Sequence, residues 1–145
     1  MLTPEEIIEN FDFLGDWDAR YAYLVELGEA LPEMDDALRT EANRVQGCMS
    51  RVWVCPVADR SGPGPVNFVG DCDTAIIKGV LALLIELMSG HAPEQIEALD
   101  LDHLFDELNL AEHLSPNRHF GIYSIVELMK AQAKATAQPT CAVSF

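Results

Sequence analysis

The sequence predicts an α+β fold in which a three-stranded antiparallel sheet packs against several helices. Two observations carry this reading. Between residues 44 and 69 lie three short runs rich in β-branched and aromatic side chains, separated by turn-forming residues. On either side, apolar residues recur at the three- and four-residue spacing of helices that bury one face. A chain of 145 residues with a hydrophobic fraction of 49% can enclose a core of its own as one domain.

Thr3-Pro4-Glu5-Glu6 has the chemistry of a helix start: Thr3 can cap, Pro4 suits the first turn, and Glu6 can reach back. Ile7, Ile8 and Phe11 give this helix its apolar side, and Gly15 stops it. Asp16 can cap a second helix carrying Trp17, Tyr21, Leu24, Val25 and Gly28, which Leu31-Pro32 ends. The aromatic residues here read as core. Pro32 to Ala42 is an acidic connector without periodicity. Arg44-Val45-Gln46, Arg51 to Val57 and Val66-Asn67-Phe68-Val69 then read as consecutive strands of a meander. Pro56 places its strand at an edge or a bulge.

Gly70-Asp71-Cys72-Asp73 leaves the sheet, and Asp73 can cap a helix that runs to about Met88. Apolar residues cover nearly every face of that helix, which marks it as buried and central. Gly90 closes it. Pro93 opens a short helix with Ile96 and Leu99, Leu101 to Leu108 make another, and Ser115-Pro116 starts a long last one with Ile122, Ile125, Val126 and Met129 inward. From about Ala135 the composition turns to Ala, Thr, Gln and Pro, as in a mobile tail.

Charge narrows the function. Nine Lys plus Arg stand against 24 Asp plus Glu, a formal net charge of −15. Nucleic acid and anionic membrane surfaces are therefore not expected partners, because both need clustered cations. The acidic surface either keeps the protein soluble or steers it toward a basic patch on another protein. No apolar run approaches the ~18 residues of a membrane span, and the acidic N-terminus lacks the regions of a secretion signal. The expected address is cytoplasmic.

Four cysteines stand at 48, 55, 72 and 141 with no C-x-x-C pair, so thioredoxin-type and zinc-ribbon chemistry are not indicated. Cys48 is the candidate nucleophile. It follows Gly47 at a bend, and Arg44 and Arg51 flank it in a chain poor in cations, a setting that favours thiolate. The same bend could tuck the thiol against apolar neighbours. Cys55, inside a strand, reads as a core filler; Cys72 lies where the sheet passes into the helix; Cys141 falls in the tail. A metal site from Cys48, Cys55 and Cys72 with a histidine lacks ligand spacing. A hydrolase would need His113 or His119 as base, and nothing local supports either.

Three motifs resemble those of the SufE-type sulfur acceptors: Val45-Gln46-Gly47-Cys48-Met49-Ser50-Arg51-Val52-Trp53, Gly70-Asp71-Cys72-Asp73-Thr74-Ala75-Ile76-Ile77-Lys78-Gly79, and His113-Leu114-Ser115-Pro116-Asn117-Arg118 followed by Gly121. Arg20 to Gly28 also fits, and the likeness spans about Pro4 to Ala135. The resemblance implies a SufE/IscU-like domain over 1–135, with 136–145 as the tail. It implies that Cys48 takes sulfur as a persulfide from a SufS- or CsdA-type cysteine desulfurase, stimulates that enzyme, and passes the sulfur to a SufBCD-type scaffold for iron–sulfur cluster assembly. Such a protein is a carrier and activator, not an enzyme with its own turnover. It needs no cofactor, since the pyridoxal phosphate belongs to the desulfurase, and it is a monomer or homodimer. An iron–sulfur scaffold binding its cluster through cysteines is the alternative. Cys72 departs from the family pattern, where serine is usual.

Around Cys48 the expected supporting or docking residues are Gly47, Arg51, Asp71, Asp73 and Arg118. Gly47 would hinge the thiol into a pocket of Met49, Val52 and Ile76. Arg118 opposes the dipole of the helix it follows into, and reads either as a clamp on Asp71 or Asp73 or as a docking residue.

Overall fold

The computed structural model describes residues 3–46, 51–57, 66–110 and 116–136, the side chains of 116–120 and 136 excepted. Helix α1 (Pro4–Leu14) starts as its sequence requires. Thr3 Oγ1 accepts from Glu6 N at 3.2 Å, and Glu6 Oε1 accepts from Thr3 N at 3.3 Å. Both bonds occupy amides that a first helical turn leaves unpaired. Gly15 ends α1, and Asp16 Oδ1 accepts from Ala19 N at 2.9 Å to open α2 (Trp17–Glu29). Ile7, Phe11 and Leu24 are buried, while Trp17 and Tyr23 pack against the core from its partly exposed margin. Arg20 ties the two helices together. Its guanidinium lies 5.3 Å from the Trp17 ring and 5.5 Å from the Phe11 ring, and its Nε donates to Phe11 O at 3.0 Å.

The sheet corrects the expectation of three strands. Among the described residues it has two, β1 (Val52–Val57) and β2 (Asn67–Cys72), paired antiparallel with Val52 opposite Cys72 and Val57 opposite Asn67. Arg44–Gln46 does not form a strand. Arg44 makes one isolated antiparallel bridge with Trp53, flanked by Val45 N to Val52 O at 2.8 Å and Val54 N to Asn43 O at 2.9 Å. The residues ahead are already committed to a turn, with Asn43 N donating to Thr40 O and Arg44 N to Glu41 O, both at 3.2 Å. That leaves too little extended chain for a ladder. Pro56 sits opposite Phe68 in an unbroken register, so there is no bulge. Its nitrogen faces away from β2, beyond the last bond to Asn43, which is the edge position expected of it.

Helix α3 (Ala75–Met88) is the central element, with Val80, Leu81, Leu83, Leu84, Leu87 and Met88 all buried. Its cap differs from expectation. Thr74 is the N-cap residue and makes no side-chain cap bond. The Asp73 carboxylate is used elsewhere, as described below. One side of α3 packs on β2 and the other on α2. The α2 crossing is closer than ordinary side chains permit. A Cβ on Gly79 would lie 2.1 Å from Leu24 O, and one on Gly28 would lie 3.0 Å from Gly79 N. Backbone therefore meets backbone, and only glycine fits.

The remaining helices close the core. α4 (Pro93–Glu97) buries Ile96, and α5 (Leu101–Leu108) buries Leu101, Leu104, Phe105 and Leu108. α6 (Pro116–Thr136) buries Ile122, Ile125, Val126 and Met129, as their spacing predicts, and packs along β1. From α6, Gln132 Nε2 donates to Val54 O at 2.8 Å and so covers the edge of β1 that Arg44 leaves open. No helix among the described residues is long and apolar enough to cross a membrane. The expected tail lies outside the described residues from 137 onward.

Gly79→Ala separates propensity from packing. In an open helix the change stabilises by about 1 kcal/mol. Here the added methyl collides with the backbone of α2, and overpacking costs about 3 kcal/mol. The expected outcome is a net loss of about 2 kcal/mol in a urea titration; any gain in stability would show that the α2–α3 crossing is looser than described.

Candidate functional site

The candidate nucleophile belongs to a segment whose two ends are fixed. Val45, before it, donates its N–H to Val52 O at 2.8 Å. Arg51, after it, makes two bonds with Asp73: Arg51 N donates to Asp73 Oδ1 at 3.0 Å, and Asp73 N donates to Arg51 O at 3.1 Å. This exchange continues the β1–β2 ladder one step past Val52 and Cys72 and joins it to the start of α3. Asp73 Oδ1 also accepts from Thr74 Oγ1 at 3.2 Å. The carboxylate thus serves the loop base in place of capping the helix.

Asp71, two residues earlier, is a charge centre. Its Oδ2 accepts from Arg39 Nη2 at 2.7 Å, and its Oδ1 lies 3.2 Å from Lys78 Nζ and accepts from Cys72 N at 2.8 Å. Arg39 also pairs with Asp36. Partial burial pushes the Asp71 carboxyl up. The bonds from Arg39, from the Cys72 amide and from Lys78 together outweigh that, and hold it below the usual aspartate range. Arg39, Asp71 and Lys78 join the acidic connector, the end of β2 and the first turns of α3 in one ionic knot. At 24%, 23% and 32% side-chain exposure, it is neither dry enough for a large desolvation penalty nor open enough to be fully screened.

The thiols divide by burial. Cys55 is 8% exposed, its Sγ donates to Pro56 O at 3.3 Å, and burial pushes its pKa up. It is a core residue and a poor nucleophile at neutral pH. Cys72 is 7% exposed, lies opposite Val52, and its Sγ accepts from Thr74 N at 3.4 Å. Its side chain is part of the apolar core beneath the loop base. Val52 is fully buried and Ile76 packs, partly buried, against the core; Met49, the third residue of the expected pocket, lies outside the described residues.

Among the expected site residues, the structure brings Arg51 and Asp73 together directly, with Asp71 two residues along the same strand end. Arg51 is exposed, and its side chain forms no ion pair among the described residues. Gly47, Cys48 and Met49 lie outside the described residues, as do Cys141, His113 and the side chains of Arg118 and His119. Among the described residues the partners of Asp71 are Arg39 and Lys78, which the sequence reading did not pair with it. A signal existed for each: Arg39 is the one cation in the acidic stretch 32–42, and Lys78 is the one cation on a largely apolar helix. Gln132 left no such signal. Its role depends on where α6 passes β1, and its Oε1 is buried without a hydrogen bond among the described residues.

Comparison with known proteins gives a consistent picture. A family model described as SufE, an Fe–S metabolism associated domain, matches residues 5–133. An uncharacterized SufE-like protein of Rhizobium etli is 38% identical over 138 residues, covering 94% of this chain and 93% of that protein. A second uncharacterized SufE-like protein, from Rhizobium meliloti, is 37% identical over 135 residues, covering 92% and 96%. The solution structure of a hypothetical protein from Thermus thermophilus superposes with a TM-score of 0.72 at 19% identity, covering 93% of this chain and 98% of that one, and so shares the fold.

The Asp71 knot has a pH signature. Because the folded carboxyl titrates below its unfolded value of ~3.9, its contribution is present above that pH and is lost as pH falls through the folded pKa. Asp71→Asn should lower the urea midpoint at pH 7, and its gap to the parent protein should be narrower at pH 3, below that unfolded value. Equal gaps at both pH values would show that the carboxylate charge is not what stabilises the knot.

Proposed function

This chain belongs to the SufE family, and from that premise we propose that it is a sulfur acceptor and carrier working at Cys48. It is an accessory protein of iron–sulfur metabolism. The proposed reaction is thiol–persulfide exchange with a cysteine desulfurase. The Cys48 thiolate attacks the outer sulfur of the enzyme's cysteine persulfide. A new S–S bond forms at Cys48, the old one breaks, and its electron pair leaves on the enzyme's thiolate. No net oxidation occurs, so no further redox agent is needed. A second exchange of the same kind passes the sulfur to an iron–sulfur assembly scaffold of the SufBCD type. The carrier uses no cofactor of its own; pyridoxal phosphate works in the desulfurase. Taking sulfur off the enzyme also frees it for its next turnover, which is how the carrier activates it.

The observation that best supports this reading is the anchoring of the Cys48 segment at both ends. Val45 is bonded to Val52, and Arg51 is bonded twice to Asp73. Exchange rates follow thiolate fraction and access, and a thiol borne on a short segment between rigid anchors can be offered to a partner without unfolding anything. Cys55 and Cys72 are buried, which makes them poor competitors for the same sulfur. Arg51 is the cation nearest in sequence to Cys48 whose side chain is exposed. It favours the thiolate and, together with Arg118, provides positive charge for docking in a chain of net charge −15. The protein is proposed to act in the cytoplasm, with residues 1–135 as the working domain.

Incubation with a cysteine desulfurase and cysteine, followed by peptide mass spectrometry, should place one extra sulfur atom on the peptide containing Cys48. Cys48→Ser should abolish both that adduct and the stimulation of the desulfurase. Undiminished stimulation by the serine variant would overturn the carrier role. Arg51→Ala leaves the backbone bonds to Asp73 in place, so stability should hold. Alkylation of Cys48 at pH 7 should nevertheless slow several-fold as its thiolate fraction falls. An unchanged pH profile of alkylation would remove Arg51 from the site.

A further inference from the structure

We propose that the outer edge of β2 is a docking site where a partner protein adds an extended apolar peptide segment, flanked by basic residues, as a further strand. The direction of the main-chain groups is the starting point. Val54 N donates to Asn43 O, and Val54 O accepts from Gln132, so the peptide groups of Val54 point away from β2. Gly70 stands opposite Val54 in the register. In an antiparallel ladder such a pair directs its groups to opposite sides, so those of Gly70 point away from β1. The same holds two residues earlier, where Phe68 N donates outward to Ser89 Oγ at 3.1 Å. Phe68 C=O, Gly70 N–H and Gly70 C=O remain on that edge, with no hydrogen bond among the described residues.

The open stretch is short and bounded. At one end Val66 N donates to His91 O at 2.9 Å and Gly90 N to Val66 O at 2.8 Å, closing the edge. At the other end Cys72 N is taken by Asp71 Oδ1. Between them lies a groove of about 490 Å³ whose far wall is the end of α2, with Leu27, Ala30 and Leu31, and whose floor is Ala82 and Ile85 of α3. An acceptor, a donor and a second acceptor spaced along one strand match the main chain of an added strand, which is how sheet edges recognise extended peptides. β2 carries neither lysine nor proline, the residues that usually blunt an exposed edge. Apolar walls suit alternate apolar side chains of that strand. Charge completes the description: Glu86 lines the groove, and Glu29 and Glu33 flank Leu31-Pro32 in the chain. Basic residues at the ends of the segment would complement them. The described residues that line the groove belong to α2, β2, α3 and the chain just after α2 and α3, and none is an anchor of the Cys48 segment, so this proposal stands or falls separately from sulfur transfer.

Gly70 itself is a poor site for a test, because a Cβ there would lie 2.8 Å from Trp53 O. Ala30 is exposed on the far wall, and Ala30→Arg would fill the groove and reverse its charge without touching the core. The probe is a capped hexapeptide, Lys-Val-Thr-Val-Thr-Lys, titrated into the isotopically labelled full chain and followed by NMR and amide exchange. The expected result is chemical-shift change centred on Phe68–Gly70 and about tenfold slower exchange of the Gly70 amide at saturation. Ala30→Arg, and a probe with glutamate in place of both lysines, should each weaken binding by about tenfold. No Gly70 protection at millimolar peptide, or shifts that map elsewhere, would overturn the proposal. So would the same shifts appearing without peptide as protein concentration rises, since a second copy would then be the occupant.

Discussion

The exchange of two hydrogen bonds between Arg51 and Asp73 is the constraint from which the rest of this structure can be followed. It fixes where β1 begins, where β2 ends and where α3 departs, all within one pair of residues. Because Val52 then faces Cys72, the register of the whole sheet is set, and with it the face that each strand residue presents. Phe68, Gly70 and Cys72 turn inward onto α3 with Val52 and Val54, and Asp71 is left at the margin where cations can reach it. A slip of one residue would bury Asp71 and expose Cys72, exchanging a satisfied ion pair for an unpaired buried charge.

Two kinds of interaction hold α3 in place, and they differ in strength and reach. The apolar contacts are the larger: truncating a fully buried Leu81 or Leu84 to alanine costs roughly 2–5 kcal/mol. They are not directional, and an apolar cylinder could rotate or slide against a sheet. The Gly28–Gly79 crossing and the Asp71 knot supply the direction. The crossing admits α2 at one depth only, since any Cβ at Gly79 would enter the Leu24 backbone. The knot links Lys78, the residue before that glycine, to the end of β2. Packing thus provides most of the stability, while the glycines and the ions choose the position.

That division bears on the function proposed for Cys48. A carrier must present one thiol and withhold the others. Cys55 and Cys72 are withheld by burial alone, with no need for a disulfide or a metal. Cys72 occupies an apolar position that a thiol fills at little cost. The charge pattern is consistent with the same economy. In a strongly acidic chain, Arg39 and Lys78 are used up on Asp71, and Arg51 is left with an exposed side chain beside the segment that carries Cys48.

Most of the element plan was legible in the sequence because its signals are local. The Thr3–Glu6 box, the Asp16 cap, the Pro93 and Pro116 starts and the all-round apolar pattern of α3 each depend on neighbours within one or two turns. The family motifs and the burial of Cys55 could be read for the same reason. Three features could not. Arg44–Gln46 has the residues of a strand, yet a turn just before it claims the backbone that a ladder would need. Asp73 has the residue type of a helix cap, yet a peptide 22 residues earlier takes its carboxylate. Arg39, 32 residues from Asp71 in the chain, becomes its ion partner only once the connector has folded over the end of β2. The sequence alone therefore determined which segments are helical, which are extended and which thiol is the candidate for chemistry, since these follow from residue type and short-range spacing. Only the tertiary structure decided the strand count, the partners of Asp71 and Asp73 and the open edge of β2, because each depends on polar groups distant in the chain competing for the same few bonds.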